Sequence, residues 1–210
     1  GASTAIGALN VDTTGALTFN DAVTAGSIAL DGAATVDLAT GAVALNTSAA
    51  NGVVTFATAG NVDGGQNLTI TAGSGAVNLS AIGASTAIGA LDIDTTGSTT
   101  VNGNVTAGSI VLDGATDVDL ATGAIILDTS AANGAVALTG GAVDGGQNLT
   151  ITAGTGTVSL GAIGASTAIG ALNIDTTGST TVNGNVTAGS IALDGATDVD
   201  LATGAIILDT

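Results

Sequence analysis

The chain lacks most of the residues on which binding and catalysis depend. Its 210 residues include no Lys, Arg, His, Cys, Met, Trp, Tyr or Pro, and its 17 acidic groups are all Asp, for a formal charge of −17. Without cations to neutralise phosphates, this composition excludes nucleic-acid binding and attachment to anionic lipid. General acid–base and nucleophilic catalysis rely mainly on His, Cys, Lys, Glu or Tyr, so we predict that the protein is not an enzyme. A β-helical enzyme that cleaves polysaccharides through paired Asp carboxylates is an alternative.

Small apolar residues dominate what is present. The chain is 45% hydrophobic with a mean hydropathy of +0.63, which is too apolar for a disordered segment despite its 34 Gly. No apolar run approaches the roughly 20 residues that cross a bilayer, so we expect no membrane insertion. The regular placement of these residues predicts a folded chain. We also expect that the protein requires no cofactor.

The chain repeats itself over a long period. The segment Gly-Ala-Ser-Thr-Ala-Ile-Gly-Ala-Leu begins at Gly1, Gly83 and Gly164. We therefore divide residues 1–210, a single continuous array, into units 1–82, 83–163 and a partial 164–210. Such periods are typical of solenoids, in which each unit stacks on its neighbours. Because the array starts without Met and stops inside a unit, we expect a window on a longer chain.

Short apolar–x–apolar triplets, the period-two pattern of half-buried strands, recur inside the unit. Eight occur in the middle unit: Leu91/Ile93, Thr99/Val101, Ile110/Leu112, Val118/Leu120, Ile125/Leu127, Val136/Leu138, Leu149/Ile151 and Val158/Leu160. They predict an all-β, right-handed parallel β-helix with four coils of about 20 residues per 81-residue unit. Between the pairs, Ile88, Val105, Val143 and Ile163 are candidates for a third side. An antiparallel sandwich is the alternative fold, although near-identical long units favour stacked coils.

One acidic series suggests a metal site. Asp94, Asp113 and Asp128 each follow the first strand of a predicted coil. Stacked in register, they would form a column of carboxylates about 5 Å apart, whose repulsion a Ca²⁺ ion could relieve. The alternative is that each Asp opens a turn by accepting a hydrogen bond from the backbone N–H two residues on.

Other outward positions are candidates for contacts between molecules. Val111 and Ile126 are predicted to be adjacent apolar residues on an outer face, where rods could pack laterally. The pair Asp117 and Asp119, on the outward side of one strand, is interpreted as a solvated face that opposes aggregation, with a catalytic pair as the alternative. Ice binding requires a flat Thr ladder, and the outward series Asp92, Val111, Ile126, Thr150 does not form one.

Two segments carry a resemblance to a known family. Thr106–Ala115 reads Thr-Ala-Gly-Ser-Ile-Val-Leu-Asp-Gly-Ala, and Asn148–Gly154 reads Asn-Leu-Thr-Ile-Thr-Ala-Gly. These resemble the repeats of filamentous-haemagglutinin-like bacterial exoproteins, which are exported by two-partner secretion or as autotransporter passengers. The resemblance implies a parallel β-helix, an extracellular or cell-surface location, an outer-membrane export partner, and roles in adhesion, aggregation or biofilm. The absence of Cys agrees with export of an unfolded chain.

The functional prediction is a structural one. We expect an extracellular shaft or filament that associates with itself, end to end or laterally. The alternative is an adhesin segment that binds a ligand on a host or neighbouring cell, although the aromatic and Arg anchors that dominate binding hot spots are almost absent.

Overall fold

The computed structural model describes residues 4–56, 60–202 and 205–210. The regular secondary structure within these ranges consists of β-strands alone. All strand pairings are parallel, as in stacked coils and unlike the antiparallel sandwich. Dense Gly disfavours helix, whereas Val, Ile and Thr suit the pleated strand. None of the described residues forms a helix long and apolar enough to cross a membrane.

The strands are short and follow one another along the chain. In the first unit they are β1 (Ile6–Asp12), β2 (Ala16–Phe19), β3 (Val23–Asp31), β4 (Thr35–Leu38), β5 (Val43–Asn46), β6 (Val54–Thr55), β7 (Asn61–Asp63), β8 (Leu68–Gly73), β9 (Val77–Leu79) and β10 (Ala81–Ile82). In the second they are β11 (Ile88–Thr95), β12 (Ser98–Val101), β13 (Val105–Asp113), β14 (Asp117–Leu120), β15 (Ile125–Asp128), β16 (Val136–Leu138), β17 (Ala142–Asp144), β18 (Leu149–Gly154) and β19 (Val158–Leu160). In the third they are β20 (Ile169–Thr176), β21 (Ser179–Val182), β22 (Val186–Asp194), β23 (Asp198–Leu201) and β24 (Leu208–Asp209).

Three parallel sheets run along the solenoid, each marked by one row of inward residues in register. Sheet 1 carries Leu9, Ile28, Val54, Val77, Thr99, Val118, Val143, Ile163, Val186 and Leu208. Sheet 2 carries Leu17, Val36, Val62, Ile82, Val105, Leu127, Ile151, Ile174 and Leu193. Sheet 3 carries Val43, Leu68, Leu91, Ile110, Val136, Val158, Thr180 and Val199.

The coils are longer than the sequence predicts. Seven turns separate Ile28 from Val186 in sheet 1, so 158 residues make seven coils of about 23 residues each. The predicted parallel β-helix is confirmed, but its coils are about three residues longer than predicted because every coil has three sides. The four candidates for a third side are all buried but do not share one sheet. Val105 lies in sheet 2, Val143 and Ile163 lie in sheet 1, and Ile88 begins β11, whose later residues belong to sheet 3.

The sequence unit does not contain a whole number of coils. Between Leu91 and its copy Leu172 the chain passes from one sheet to the next eleven times. Since three such steps make one turn, the unit contains 3⅔ turns instead of the predicted four. Equivalent residues therefore lie in different sheets. Leu9 is in sheet 1, Leu91 in sheet 3 and Leu172 in sheet 2.

The core is a single narrow column of aliphatic side chains. Ile28, Leu68, Ile70, Leu91 and Ile110 have no exposed surface. Each coil buries residues that the next coil covers, so the hydrophobic contribution of roughly 25 cal/mol per Å² accumulates with length.

Phenylalanine occurs only in the first unit and only in the core. Phe19 and Phe56 are buried, as are their counterparts Val101 and Leu138. The two Phe side chains therefore pack in the core, at positions that smaller aliphatic residues fill in the second unit.

Glycines stack where the chain turns into a sheet. A Cβ on Gly134 would overlap the carbonyl oxygen of Gly108 in the coil below, and one on Gly156 would overlap that of Gly134. The same contact recurs along the row Gly89, Gly108, Gly134, Gly156 and Gly178. Only a residue without a side chain lets successive corners approach at the strand spacing of about 4.8 Å.

Candidate functional site

The three predicted calcium ligands do not form one column. Asp94 and Asp113 are register partners in sheet 3, with Thr71 on the other side of Asp94. Asp128 lies in sheet 2, between Thr106 and Thr152. The geometric premise of a three-residue column is therefore wrong, because the residue that follows a first predicted strand changes sheet from coil to coil.

Two of these carboxylates accept hydrogen bonds within the protein, and the bonds at Asp128 support the turn interpretation. Asp128 Oδ1 accepts from the backbone N–H and the hydroxyl of Ser130, at 2.9 and 2.7 Å. Asp113 Oδ1 accepts from the Thr139 hydroxyl of the next coil at 2.7 Å. Within the described ranges no group of three acidic side chains is arranged to hold a metal ion. Calcium binding at the remaining pair, Asp94 and Asp113, stays a prediction.

The two predicted lateral-contact residues are separated. Val111 lies in sheet 3 between Asp92 and Ala137. Ile126 is 40% exposed in sheet 2, and its neighbour in the next coil is Thr150. They point outward as predicted but do not make one apolar patch, since the corner of the coil stands between them. Lateral packing at either position stays a prediction.

A denser acidic cluster lies on sheet 1, and the sequence reveals only part of it. Asp117 and Asp119 on β14 face β17, where Asp144 is the register partner of Asp119. Asp144 is only 2% exposed, although it occupies an outward position of its strand. Burial raises the pKa of the Asp117 carboxyl, and the negative charges of Asp119 and Asp144 raise it further. We call Asp117, Asp119 and Asp144 the acidic cluster.

Asp144 is buried because the following coil folds over it. Its Oδ1 accepts hydrogen bonds from the backbone N–H groups of Ser166 and Thr167, at 2.9 and 2.7 Å. Its Oδ2 is buried and has no hydrogen-bond donor. The recurrence of Asp-Gly-Gly-Gln at Asp63 and Asp144 is the only signal in the sequence that marks this position.

Asparagine side chains link successive coils, a role that the sequence analysis missed. The Oδ1 atoms of Asn67, Asn104, Asn148 and Asn185 each accept from a backbone N–H of the next coil, at 2.9 to 3.1 Å. Asn51 and Asn133 do the same from the left-handed conformation, with φ of 54° and 55°. These bonds satisfy backbone donors at corners, where the sheet ladder is interrupted.

The described part of the chain contains no detectable pocket, so its candidate sites are surfaces and clusters. Comparisons with protein-family models, curated proteins and solved structures give no match to this chain. Functional inference therefore depends on the geometry of the solenoid itself.

Proposed function

We propose that this protein is a structural shaft outside a bacterial cell, whose function is to supply length and stiffness. The observation that carries the proposal is the continuity of the three sheets. The inward row of sheet 1 is unbroken from Leu9 to Leu208, and it passes through all three units.

This architecture supports a stiff rod. In stacked parallel coils the backbone hydrogen bonds lie along the axis of the solenoid. Bending therefore stretches a sheet on the convex side, and three sheets around the axis resist bending in every direction. The aliphatic core adds contacts between each coil and the next, which the bend would also open.

The surface chemistry supports an extracellular location. The charge of −17 keeps separate rods soluble, and trypsin-like proteases find no Lys or Arg to cleave. Coil-by-coil stacking also suits a chain exported in the unfolded state, because a solenoid can fold progressively from one end. An outer-membrane export partner and self-association of the shafts belong to the same proposal, and the export partner is what the resemblance to bacterial exoproteins implies.

Two variants test the proposal, one that changes the length of the solenoid and one that changes only its outward side chains. One variant duplicates residues 83–163. A second keeps the length and the predicted lateral contacts, and it gives three other outward residues of the second unit their first-unit counterparts, through Asp92→Asn, Ser98→Ala and Ala137→Thr. We expect the duplication to lengthen the fibres seen by electron microscopy and to change cell–cell cohesion, whereas the surface variant leaves both unchanged.

The opposite pattern would contradict the proposal. If cohesion follows the surface variant and ignores the duplication, the segment is an adhesin that binds a ligand through its outward residues. Circular dichroism of both purified variants provides the control that each remains folded.

A further inference from the structure

We propose that Asp117 and Asp144 form a proton-operated latch between two coils, closed when one proton is shared by the two carboxyl groups. In the latched state protonated Asp117 donates a hydrogen bond to Asp144 Oδ2. The inference does not depend on the proposed function, since it concerns how two neighbouring coils are held together.

The first argument comes from the unsatisfied oxygen. Asp144 is 2% exposed, and its Oδ2 has no donor while both carboxyl groups are ionised. A buried acceptor without a partner costs free energy that a hydrogen bond would recover. Two carboxyl groups of the preceding coil lie beside Asp144: Asp119 is its register partner, and Asp117 is the partner of Ala142, two residues before it. The charge of Asp144 contributes to the raised pKa of Asp117. A carboxyl group can donate a hydrogen bond only when it carries a proton.

The second argument comes from the equivalent place in the first unit. There Asp63 Oδ1 accepts from the N–H groups of Ser85 and Thr86, at 3.0 and 2.8 Å, as Asp144 does from its own coil. Its Oδ2, however, accepts from the amide of Asn61. The second unit has Ala142 where the first has Asn61. The amide donor is thus missing at Asp144.

A second substitution accompanies the loss of that donor. Thr35 is the register partner of Asn61, and its counterpart Asp117 is the partner of Ala142. The donor of the first unit is therefore replaced by a carboxyl group from the preceding coil. An amide donates at any pH, whereas a carboxyl group donates only in acid.

The chain contains no Lys, Arg or His that could supply a positive charge here, and Asp119 is the one other carboxyl group that the register places beside the pair. The register neighbours of β14 on its other side are Ser98 to Val101 of β12, which do not titrate. β17 contributes Asp144, β14 contributes Asp119, and the covering segment contributes only the N–H groups of Ser166 and Thr167. The shared proton is assigned to Asp117, because Asp117 stands where the first unit has Thr35, whereas Asp119 has the counterpart Asp37, which pairs with Asp63 in the same way.

The pH dependence follows from linkage. The pKa of Asp117 is raised in the folded protein above its ordinary value of 3.8, so the folded state binds the proton more tightly than the open state. The stabilisation is complete below pH 3.8 and is lost as the pH rises through the raised folded value. The latch therefore tightens on acidification.

Amide hydrogen exchange provides a local readout with an internal control. Ser166 and Thr167 lie in the segment Gly-Ala-Ser-Thr-Ala, which is identical around Ser85 and Thr86, so the intrinsic exchange rates are equal. We expect exchange at Ser166 and Thr167, relative to Ser85 and Thr86, to slow as the pH is lowered from neutral towards about 4. The slowing begins at the raised pKa of Asp117 and is at most about tenfold per pH unit.

Three substitutions complete the experiment. Asp117→Asn and Asp144→Asn each place an amide in the pair, and both should abolish the pH dependence of this ratio. Asp92→Asn removes the same charge from a residue whose register partners are Thr69 and Val111, and it should preserve the dependence. A ratio that does not change with pH in the unmodified chain, or that changes equally in Asp117→Asn, would overturn the latch. A further outcome would overturn the latch by assigning the pair to a metal ion. In that case about 1 mM CaCl₂ at neutral pH would slow amide exchange at Ser166 and Thr167, and Asp117→Asn would abolish this effect.

Discussion

Threonine side chains have opposite roles at two buried positions of the same turn. Thr99 lies in the inward row of sheet 1 between Val77 and Val118, and its buried hydroxyl has no hydrogen-bond partner. Thr95 is also buried, but its hydroxyl donates to the carbonyl of Gly75 at 2.6 Å and accepts from the N–H of Gly97 at 2.9 Å. The hydroxyl group therefore lowers the stability of the fold at Thr99, whereas at Thr95 it links two coils by hydrogen bonds.

Replacement of each Thr by Val should separate these roles. Val has the same shape as Thr, so Thr99→Val removes an unsatisfied polar group and should raise the free energy of unfolding by about 1–3 kcal/mol. Thr95→Val should lower it by about 1–2 kcal/mol, because it leaves the Gly75 carbonyl and the Gly97 N–H without their partner. Denaturant unfolding of the two variants measures both changes, and changes of equal sign would refute the distinction.

Glycine at a corner determines whether one coil can sit on the next. Gly134→Ala should destabilise the solenoid by about 2 kcal/mol or more, because its Cβ would overlap the backbone carbonyl of Gly108 and one of the two coils would have to shift. Gly41→Ala is the matched control, since a Cβ there meets no atom within 4 Å. The measurement is thermal unfolding by circular dichroism, and equal melting temperatures for the two variants would contradict the close approach.

The sequence predicts the strands better than the coils they form. Triplets such as Ile110/Leu112 and Val136/Leu138 alternate clearly, and each lies in a strand. The third side is harder to find, because a position such as Ile163 makes only an isolated bridge and has no alternating neighbours to mark it. Without that side, the spacing of strands suggests shorter coils and a whole number of them per unit.

The candidate sites depend on register, which a single sequence determines poorly. Asp94 and Asp113 are partners, as predicted, because the triplets that precede them pair in register, Leu91 with Ile110 and Ile93 with Leu112. Asp128 misses them because its strand lies one sheet away. The burial of Asp144 is not visible in the sequence at all, since it results from the covering segment at Ser166 and Thr167.

Charge acts on the molecule as a whole. The 17 carboxylates have no Lys, Arg or His to oppose them, so they repel one another along the entire rod. We expect the melting temperature to rise when NaCl increases from about 10 to 150 mM, because the screening length falls from about 30 to 8 Å. Differential scanning calorimetry at pH 7 measures this, and a melting temperature that is independent of salt would contradict it.

The axial repeat of the rod follows from the turn count. One unit of 81 residues contains 3⅔ turns, which at about 4.8 Å per turn advance the chain by about 17–18 Å. Cryo-electron microscopy of a longer array should therefore give a rise of this size together with a rotation of one-third of a turn. A rise of about 19 Å without rotation would indicate four whole coils instead.

Because the turn count is fractional, the number of units also determines the direction in which the end of the rod faces around the axis. Each added unit lengthens the rod and rotates its end by one-third of a turn about the axis, so three added units restore the original orientation. A domain fused after one, two or three units would face three different ways from the same base. Gain or loss of a unit thus alters orientation as well as reach, and only changes in multiples of three alter reach alone.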